Sequence, residues 1–273
     1  MTGEAMQGML FGSLTSDSIP GQAAEHPAQL RLTALNVNSP GPQRAQQTLE
    51  WLVATGSNVM VLTEMRPSDG GRLIISGLDA ENFDVRASAG WQNTQYFTLI
   101  ASRGCDQHPL AHPLDPRVVA VELTSGAGNL CLIGLYGPTN GMTAESSDRR
   151  RAFQKEFLKF LRGFARPNMI LAGDLNVVEP GHEPHLPSFQ DHDYEFYDGL
   201  TGAGLADAFR ALHPGRIAHS WLSDQYGAQR LDHIFVTPGA GTLLACDYDH
   251  EPRTRGITDH AAMHAILSLT RQS

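Results

Sequence analysis

The sequence predicts a layered α/β protein, and three observations support this fold class. Short apolar runs typical of buried strands recur along the chain, helical segments lie between them, and Gly or Pro residues end most of these elements. Several strands are too apolar to have one face in water, which is typical of sheets covered on both sides. A length of 273 residues allows one large domain or two, so length alone does not fix the number of domains.

The first predicted element is a flexible N-terminal extension over residues 1–28, which are rich in Gly, Ser, Ala, Gln and Pro and lack periodicity. One folded domain is then expected over residues 29–273. Apolar, β-branched runs predict its strands at residues 30–37, 58–63, 97–102, 118–123, 130–135, 169–172, 231–236 and 262–269.

Helices are predicted between these strands at residues 43–55, 146–164 and 194–203. The second helix is the most regular, because its aromatic and aliphatic residues share one stripe with Arg and Lys opposite. Such a helix packs its apolar stripe onto a sheet. The stripe consists of Phe153, Phe157, Phe160, Leu161 and Phe164.

Composition excludes some function classes. The formal net charge of −9 argues against a polycation that binds nucleic acid mainly by releasing counterions. It does not exclude nucleic acid, because a site that gathers carboxylates around a metal ion is acidic by construction. Three widely spaced cysteines without a zinc pattern indicate reduced thiols in a cytoplasmic protein. No apolar run approaches the length of about 20 residues that crosses a bilayer, so no membrane partner is expected.

The most informative motif follows the apolar strand at residues 169–172. A Gly turn there presents Asp174 and Asn176 at the rim of the sheet, so both side chains can point into one cleft. The carboxylate can orient or deprotonate water, and the amide can donate to a phosphoryl oxygen. An Asx turn that merely closes the strand is an equally good interpretation of these residues alone.

A second motif places Asn36 at the end of the first strand and Glu64 at the end of the next, with a helix between them. Two parallel strands joined in this way hold the two side chains next to each other at their carboxyl ends, where α/β sheets bind ligands. Their oxygen atoms suit Mg²⁺ or Mn²⁺. The alternative is a helix cap and a surface glutamate.

A third motif sets Asp232 at the start of an apolar strand, where an unpaired charge is costly. Its best candidate partner is His260, just before the final strand, because a carboxylate fixes the tautomer of an imidazole and raises its basicity. The neighbouring Asp259 points the opposite way and could reach a metal ion. A purely structural Asp–His pair is the alternative.

Together these motifs resemble the endonuclease/exonuclease/phosphatase superfamily, in particular its exonuclease III and AP endonuclease branch. The resemblance spans residue 30 to the C-terminus, and its specificity lies in the order of six short motifs. They are Asn36-x-Asn38, Glu64, Tyr136-x-Pro138, Gly173-Asp174-x-Asn176, Arg230-x-Asp232 and Thr258-Asp259-His260.

The resemblance implies a four-layer α/β sandwich, with two packed mixed sheets flanked by helices, and a catalytic domain over residues 29–273. It implies a divalent-metal-dependent phosphoesterase that uses Mg²⁺ or Mn²⁺ and is monomeric. Its metal ligands would be Glu64, Asn36 and Asp259, and its phosphate contacts Asn176, Tyr136 and His260. Asp174 would act on the attacking water and Asp232 would hold His260, although the base could be Asp174 or His260.

Two substrates remain open. The branch acts on DNA, including in DNA repair, but the segment between Trp221 and Asp232 is shorter than the loop by which its repair members enter a duplex. The stretch between Asn176 and Leu205 is also short. These losses and the acidic charge favour a small phosphate ester as the alternative substrate, whereas the leading prediction is a nuclease of the exonuclease III or AP endonuclease type that hydrolyses phosphodiester bonds in DNA.

The sequence also predicts a solvated, substrate-facing loop that contains His182, His185, Asp191, His192 and Asp193. A set of basic residues lies either on the polar face of a helix and a surface loop or against substrate phosphates; it consists of Arg149, Arg150, Arg151, Arg253 and Arg255.

Overall fold

The computed structural model describes residues 29–125, 128–139 and 143–269, and the predicted extension at residues 1–28 lies outside them. The strands are β1 Gln29–Asn36, β2 Val59–Met65, β3 Asp84–Ala87, β4 Phe97–Ser102, β5 Asp106–Pro109, β6 Val118–Ser125, β7 Gly128–Leu135, β8 Met169–Asp174, β9 Ala206–Asp207, β10 Trp221–Ser223, β11 Gly227–Gln229, β12 Asp232–Val236, β13 Thr242–Asp249 and β14 Ala262–Ser268. The helices are α1 Pro42–Ala54, α2 Asp69–Ala80, α3 Ala144–Phe164, α4 Asp191–Gly202, α5 Ala208–Leu212 and α6 Glu251–Thr254.

Two six-stranded sheets form the centre of the molecule. The first has the strand order β13-β14-β1-β2-β4-β3, and the second has the order β5-β6-β7-β8-β12-β9. Both are mixed, because β1 runs parallel to β2 and β7 runs parallel to β8, whereas β14 and β12 are antiparallel to their neighbours. Strands β10 and β11 form a separate hairpin beside them.

The core divides into layers that follow from the two-sided apolar strands. One cluster lies between the two sheets and includes Leu32, Val61, Leu132 and Ile234. A second cluster packs the outer face of the first sheet against α1 and α2, and a third packs the outer face of the second sheet against α3 and α4. The predicted four-layer sandwich is therefore confirmed.

Helix α2 was not predicted from the sequence, because it begins Asp-Gly-Gly and glycine weakens helices by about 1 kcal/mol relative to alanine. Tight packing explains these glycines. A Cβ atom would lie 1.9 Å from the Pro40 carbonyl oxygen at Gly70 and 2.0 Å from the Arg66 carbonyl oxygen at Gly71. Close backbone approach has therefore overridden helix propensity, with Ser68 capping the helix by accepting a hydrogen bond from the Gly71 amide.

A buried ionic network supports the end of β12 that leads to the predicted site. Arg230, 0 % exposed, donates to Glu179 Oε2 at 2.9 Å and to Asp207 Oδ2 at 2.6 Å. Tyr197 donates its hydroxyl to the same Asp207 oxygen at 2.8 Å. Because a buried guanidinium needs charge partners, this network fixes the chain immediately before Asp232.

No helix among the described residues combines the length and apolar character needed to span a membrane.

Candidate active site

The second sheet supplies two carboxylates at one position. Asp174 ends β8 and Asp232 begins β12, and the two residues are directly paired across these antiparallel strands. Both side chains are buried. Placing two carboxylates opposite each other is electrostatically unfavourable, so the arrangement indicates a functional requirement rather than a packing preference.

His260 completes this part of the site. Its Nδ1 lies 2.7 Å from Asp232 Oδ2, and a short bridge pairs its backbone with Trp221 of the β10–β11 hairpin. Ser220 holds Asp232 from the other side, since its hydroxyl oxygen accepts the backbone N–H of Asp232 at 3.1 Å. The hydrogen bond between His260 Nδ1 and Asp232 fixes the orientation of the imidazole and leaves its Nε2 directed away from Asp232.

The first sheet supplies Asn36 and Glu64. Asn36 pairs with Thr63 across the parallel strands β1 and β2, so Glu64 follows immediately beside it. The Asn36 side-chain amide donates to Glu64 Oε2 at 3.0 Å and to Asp174 Oδ2 at 2.8 Å. One amide group therefore joins the carboxylates of the two sheets, a connection that the sequence did not reveal.

Irregular backbone directs two of these side chains. Glu64 lies where the β2–β4 register shifts and has φ 55°, and Asn176 has φ 53°. Left-handed backbone is uncommon for residues other than glycine, and strain of this kind concentrates at functional sites. The bulge turns Glu64 out of the regular alternation of the strand and towards the end of the sandwich.

Asn176 closes an Asx turn in addition to lining the site. Its backbone N–H donates to Asp174 Oδ1 at 2.9 Å, and its side-chain amide donates to the Gly137 carbonyl at 2.9 Å. The Asx turn that was the alternative interpretation of this motif is thus also formed. The turn holds both functional side chains in one orientation.

Asp259 lies at the rim of the site and is exposed. Its Oδ1 accepts the side-chain amide of Asn38 at 2.8 Å, and its Oδ2 accepts the indole N–H of Trp221 at 3.0 Å. It therefore points away from the buried pair formed by Asp232 and His260. The role of Trp221 as its donor was not visible in the sequence.

The residues from the two sheets line one cavity of about 280 Å³. Glu64, Asp174, Asn176, Asp259 and His260 form its polar side. Other lining residues, which the sequence analysis did not assign to the site, are Thr139, Arg150, Ser188, Phe189, Trp221, Tyr226, Gln229 and Leu231. Three of the described residues lie behind this lining and contact it. Asn36 donates to Glu64, Asp232 binds His260, and Tyr136 interacts with the carboxylates of Glu64 and Asp174.

Burial and neighbouring charges shift the titration of the site. Burial, reinforced by the nearby Asp232 carboxylate, raises the pKa of Asp174. Burial lowers the pKa of His260, but the Asp232 carboxylate outweighs it and the net pKa is raised. Burial and then the Glu64 carboxylate raise the pKa of the Tyr136 hydroxyl, which therefore stays protonated and remains a hydrogen-bond donor.

The donor atoms of this site fit a divalent cation. Asp232 Oδ1 is buried and has no hydrogen-bond partner among the described residues. Asp174, Asp232 and His260 each offer one ligand atom, and these atoms lie within 4.8 Å of one another. Over the described ranges, neither Glu64 nor Asp174 forms an ion pair with Lys or Arg; Asn36 donates to both carboxylates, and the His260 imidazole acts on Asp174.

The region behind Asn176 differs from what the sequence predicted. Arg150 is 2 % exposed and donates to Asp193 Oδ1 at 2.7 Å and to the Asn176 carbonyl, so it is neither on a solvated helix face nor free for phosphate. His182 is also buried, with Nε2 accepting the Arg230 amide at 3.2 Å. The prediction of a solvated loop is wrong for His182 and Asp193, because both satisfy buried arginine groups.

Gly173 permits the close approach that presents Asp174. Its φ is 138°, and a Cβ atom would lie 2.2 Å from the Leu135 carbonyl oxygen. We expect Gly173→Ala to destabilise the protein by more than about 1 kcal/mol and to lower activity by displacing Asp174. Urea unfolding measures the first effect. Gly163→Ala in α3 is the matched control, because no atom lies within 4 Å of its added Cβ, and unchanged stability in Gly173→Ala would contradict the argument.

A four-layer sandwich that gathers carboxylates, amides and an Asp–His pair at one end defines a class of phosphate-ester hydrolases. The chain belongs to the Endonuclease/Exonuclease/phosphatase family, whose model matches residues 33–260. This confirms the resemblance seen in the sequence. No curated protein sequence matches this chain significantly.

Solved structures share this fold. A 3′ phosphatase, NExo, from Neisseria, solved with a product DNA hairpin, has 22 % identity and a TM-score of 0.72 over 86 % of this chain and 98 % of its own. An AP endonuclease from Archaeoglobus fulgidus has 18 % identity and a TM-score of 0.72 over 87 % and 99 %. The AP endonuclease from Leishmania major has 16 % identity and a TM-score of 0.66 over 88 % of each chain.

Proposed function

We propose that this protein is a divalent-metal-dependent nuclease of the exonuclease III and AP endonuclease type, which hydrolyses phosphodiester bonds in DNA. The observation that carries the proposal is the convergence on a single cavity of Glu64 and His260, from β2 and the residues just before β14 of the first sheet, with Asp174 from the second sheet. The DNA hairpin bound to the Neisseria phosphatase and the names of the AP endonucleases support DNA as the substrate and DNA repair as the context.

The side chains of the site match the needs of phosphoester hydrolysis. Asp174, held by Asn36 and by the Asn176 amide, is fixed to orient and deprotonate the attacking water. His260 would donate a hydrogen bond to a non-bridging phosphate oxygen. Asn176 and Tyr136 would do the same by exchanging their present partners, which are Gly137 and Asp174 for Asn176 and Glu64 for Tyr136. Asp232 is a positioning residue that keeps the imidazole of His260 in one orientation.

Mg²⁺ or Mn²⁺ is the cofactor that these donors suit. Glu64 would hold the ion, with Asn36 and Asp259 contributing directly or through water, and the carboxylates of Asp174 and Asp232 offer further oxygen atoms nearby. When bound, such an ion neutralises the charge that develops on the phosphoryl group. The carboxylates of Glu64 and Asp174, which form no ion pair with Lys or Arg among the described residues, and the unpartnered Asp232 Oδ1 support this assignment.

Removal of divalent cations is expected to abolish hydrolysis, because the phosphate would then meet carboxylates alone. Excess EDTA tests this, and adding back Mg²⁺ or Mn²⁺ should restore turnover. Binding to the folded state should also raise the melting temperature in the presence of Mg²⁺, a readout independent of activity. Full turnover in EDTA would contradict the proposed metal dependence.

A small phosphate ester is the second candidate substrate, and two observations favour it. The net charge of −9 weakens long-range attraction to a polyanion, and the cavity of about 280 Å³ is compact. A panel with an abasic duplex, a blunt duplex, a single strand and small phosphate esters separates the two candidates. Faster turnover of a nucleotide or sugar phosphate than of every DNA would reject the nuclease proposal in favour of this one.

A further inference from the structure

A second cavity adjoins the catalytic one. It has a volume of about 530 Å³ and shares the lining residues Ser188 and Tyr226 with the catalytic cavity, so the two form a continuous cleft. We name it the neutral groove. Its polar lining consists of the hydroxyls of Thr143, Ser147 and Ser188, the amides of Gln190 and Gln225, and the ring of Tyr226.

The chemistry of the neutral groove differs from that of a phosphate-binding surface. None of the described residues that line it is Asp, Glu, Lys, Arg or His. In the catalytic cavity, the lining cation Arg150 is already paired with Asp193 at 2.7 Å. Lys and Arg supply the charge that holds a tract of phosphodiester backbone, whereas neutral hydroxyls and amides contact single phosphates without neutralising them, so this groove is a poor site for a run of phosphates.

An aromatic ring stands where the two cavities meet. Tyr226 is 37 % exposed, and its ring centroid lies 6.5 Å from that of Trp221 with an interplanar angle of 25°. Phe189 lines the catalytic cavity nearby. The exposed ring of Tyr226 provides a face on which a flat base can stack, and neutral amides and hydroxyls can meet the edges of a base or the hydroxyls of a sugar.

We propose that the neutral groove is a nucleoside subsite, in which Tyr226 stacks against the base of the nucleoside attached to the scissile phosphate. The subsite rests on the proposed function and specifies its substrate as a phosphoester that carries a nucleoside next to the reacting group. A volume of about 530 Å³ is large enough for one such unit. The enzyme then recognises a nucleotide by its base and sugar, with one phosphate in the catalytic cavity.

Equilibrium binding tests the subsite without relying on turnover. Isothermal titration calorimetry with Mg²⁺ would compare thiophosphate with thymidine 3′- and 5′-phosphorothioates, which hydrolyse slowly. We expect at least one thymidine derivative to bind the wild-type chain about tenfold more tightly than thiophosphate, as stacking on one ring allows. Equal affinity for thiophosphate and both thymidine derivatives would overturn the proposal.

Substitutions at Tyr226 test whether its ring causes the preference for thymidine derivatives over thiophosphate. Tyr226→Ala should bring the affinities for nucleoside derivative and thiophosphate to within about twofold, whereas Tyr226→Phe, which keeps the ring, should preserve the difference. Leu222→Ala is the control, because this exposed residue lies on the same hairpin and lines neither cavity. A preference that survives Tyr226→Ala would overturn the role of the ring.

Two further experiments are needed. One distinguishes a nucleic-acid end from a free nucleotide as the ligand, and the other tests the proposed function independently of the subsite. An oligonucleotide with a 3′-terminal thymidine phosphorothioate that binds more tightly than the mononucleotide, and depends on Tyr226, supports a nucleic-acid end. Equal binding with the same dependence supports a free nucleotide. Hydrolysis is assayed separately, so a chain that binds thymidine derivatives through Tyr226 but cleaves no phosphoester would refute the proposed function and retain the subsite.

Discussion

Asp174→Asn is expected to lower kcat by about 10²-fold or more. The substitution keeps the size of the side chain but removes the charge that orients and accepts a proton from water. It also places an NH₂ group or a weaker acceptor against the Asn36 amide, which now donates to Asp174 Oδ2 at 2.8 Å. Because Asn36 also holds Glu64 at 3.0 Å, the change disturbs the connection between the two sheets.

Steady-state hydrolysis of the best substrate in the panel measures this loss. Asp79→Asn, an exposed residue of α2, makes the same chemical change away from the site and should retain wild-type activity. Circular dichroism and a cooperative melting transition would show that Asp174→Asn still folds. Wild-type kcat in the folded Asp174→Asn protein would reject Asp174 as the group that acts on water.

The second large effect is expected from Arg230→Met, which should reduce the free energy of unfolding by about 3–5 kcal/mol. Arg230 is 0 % exposed and neutralises Glu179 and Asp207, both buried. Methionine fills similar space but leaves the Asp207 carboxylate without its guanidinium partner. Removing one member of a buried pair costs far more than the pair contributes to stability, because the remaining charge stays desolvated.

Urea denaturation measures the change, with the m value checked to show that the unfolding transition is still of the same kind. Arg72→Met is the matched control, since Arg72 pairs with Asp69 at 2.8 Å on the surface, with the two side chains 58 % and 82 % exposed. An exposed pair of this kind contributes about 1 kcal/mol or less. Similar losses in the two variants would mean that the Arg230 network is not a structural support.

Most of the central strands could be predicted from the sequence, because their signal is local. Runs such as those around Val61, Ile133 and Leu171 are apolar on both faces, and only a sheet covered on both sides accommodates them. The edge strand β13 was missed: its side chains are largely exposed, and its apolar run at residues 243–246 is followed by the polar stretch Asp-Tyr-Asp. Residues Asp174, Asn176 and Glu64 were found because each directly follows a strong strand.

The contacts that join these motifs were decided by the tertiary structure. Asn36 donates hydrogen bonds to both Glu64 and Asp174, and Asp174 lies 138 residues further along the chain than Asn36. No local sequence pattern predicts such a contact. Arg150 and His182 lie on segments whose sequences are polar and predict exposure to solvent. In the fold both are buried, and each hydrogen-bonds to a buried group of a distant segment, Arg150 to Asp193 and His182 to the Arg230 amide.

By itself, then, the sequence determined the layered fold, the order of its main strands and the polar residues at their ends, since strand periodicity and turn chemistry act between near neighbours. Only the tertiary structure decided the rest. The pairing of β12 with β8 within one sheet places Asp232 opposite Asp174, and the packing of one sheet on the other gives these residues one cavity with a neutral groove containing Tyr226 beside it. The physical reason is that burial and pairing of polar groups depend on which distant segments meet, and that is a property of the folded chain as a whole.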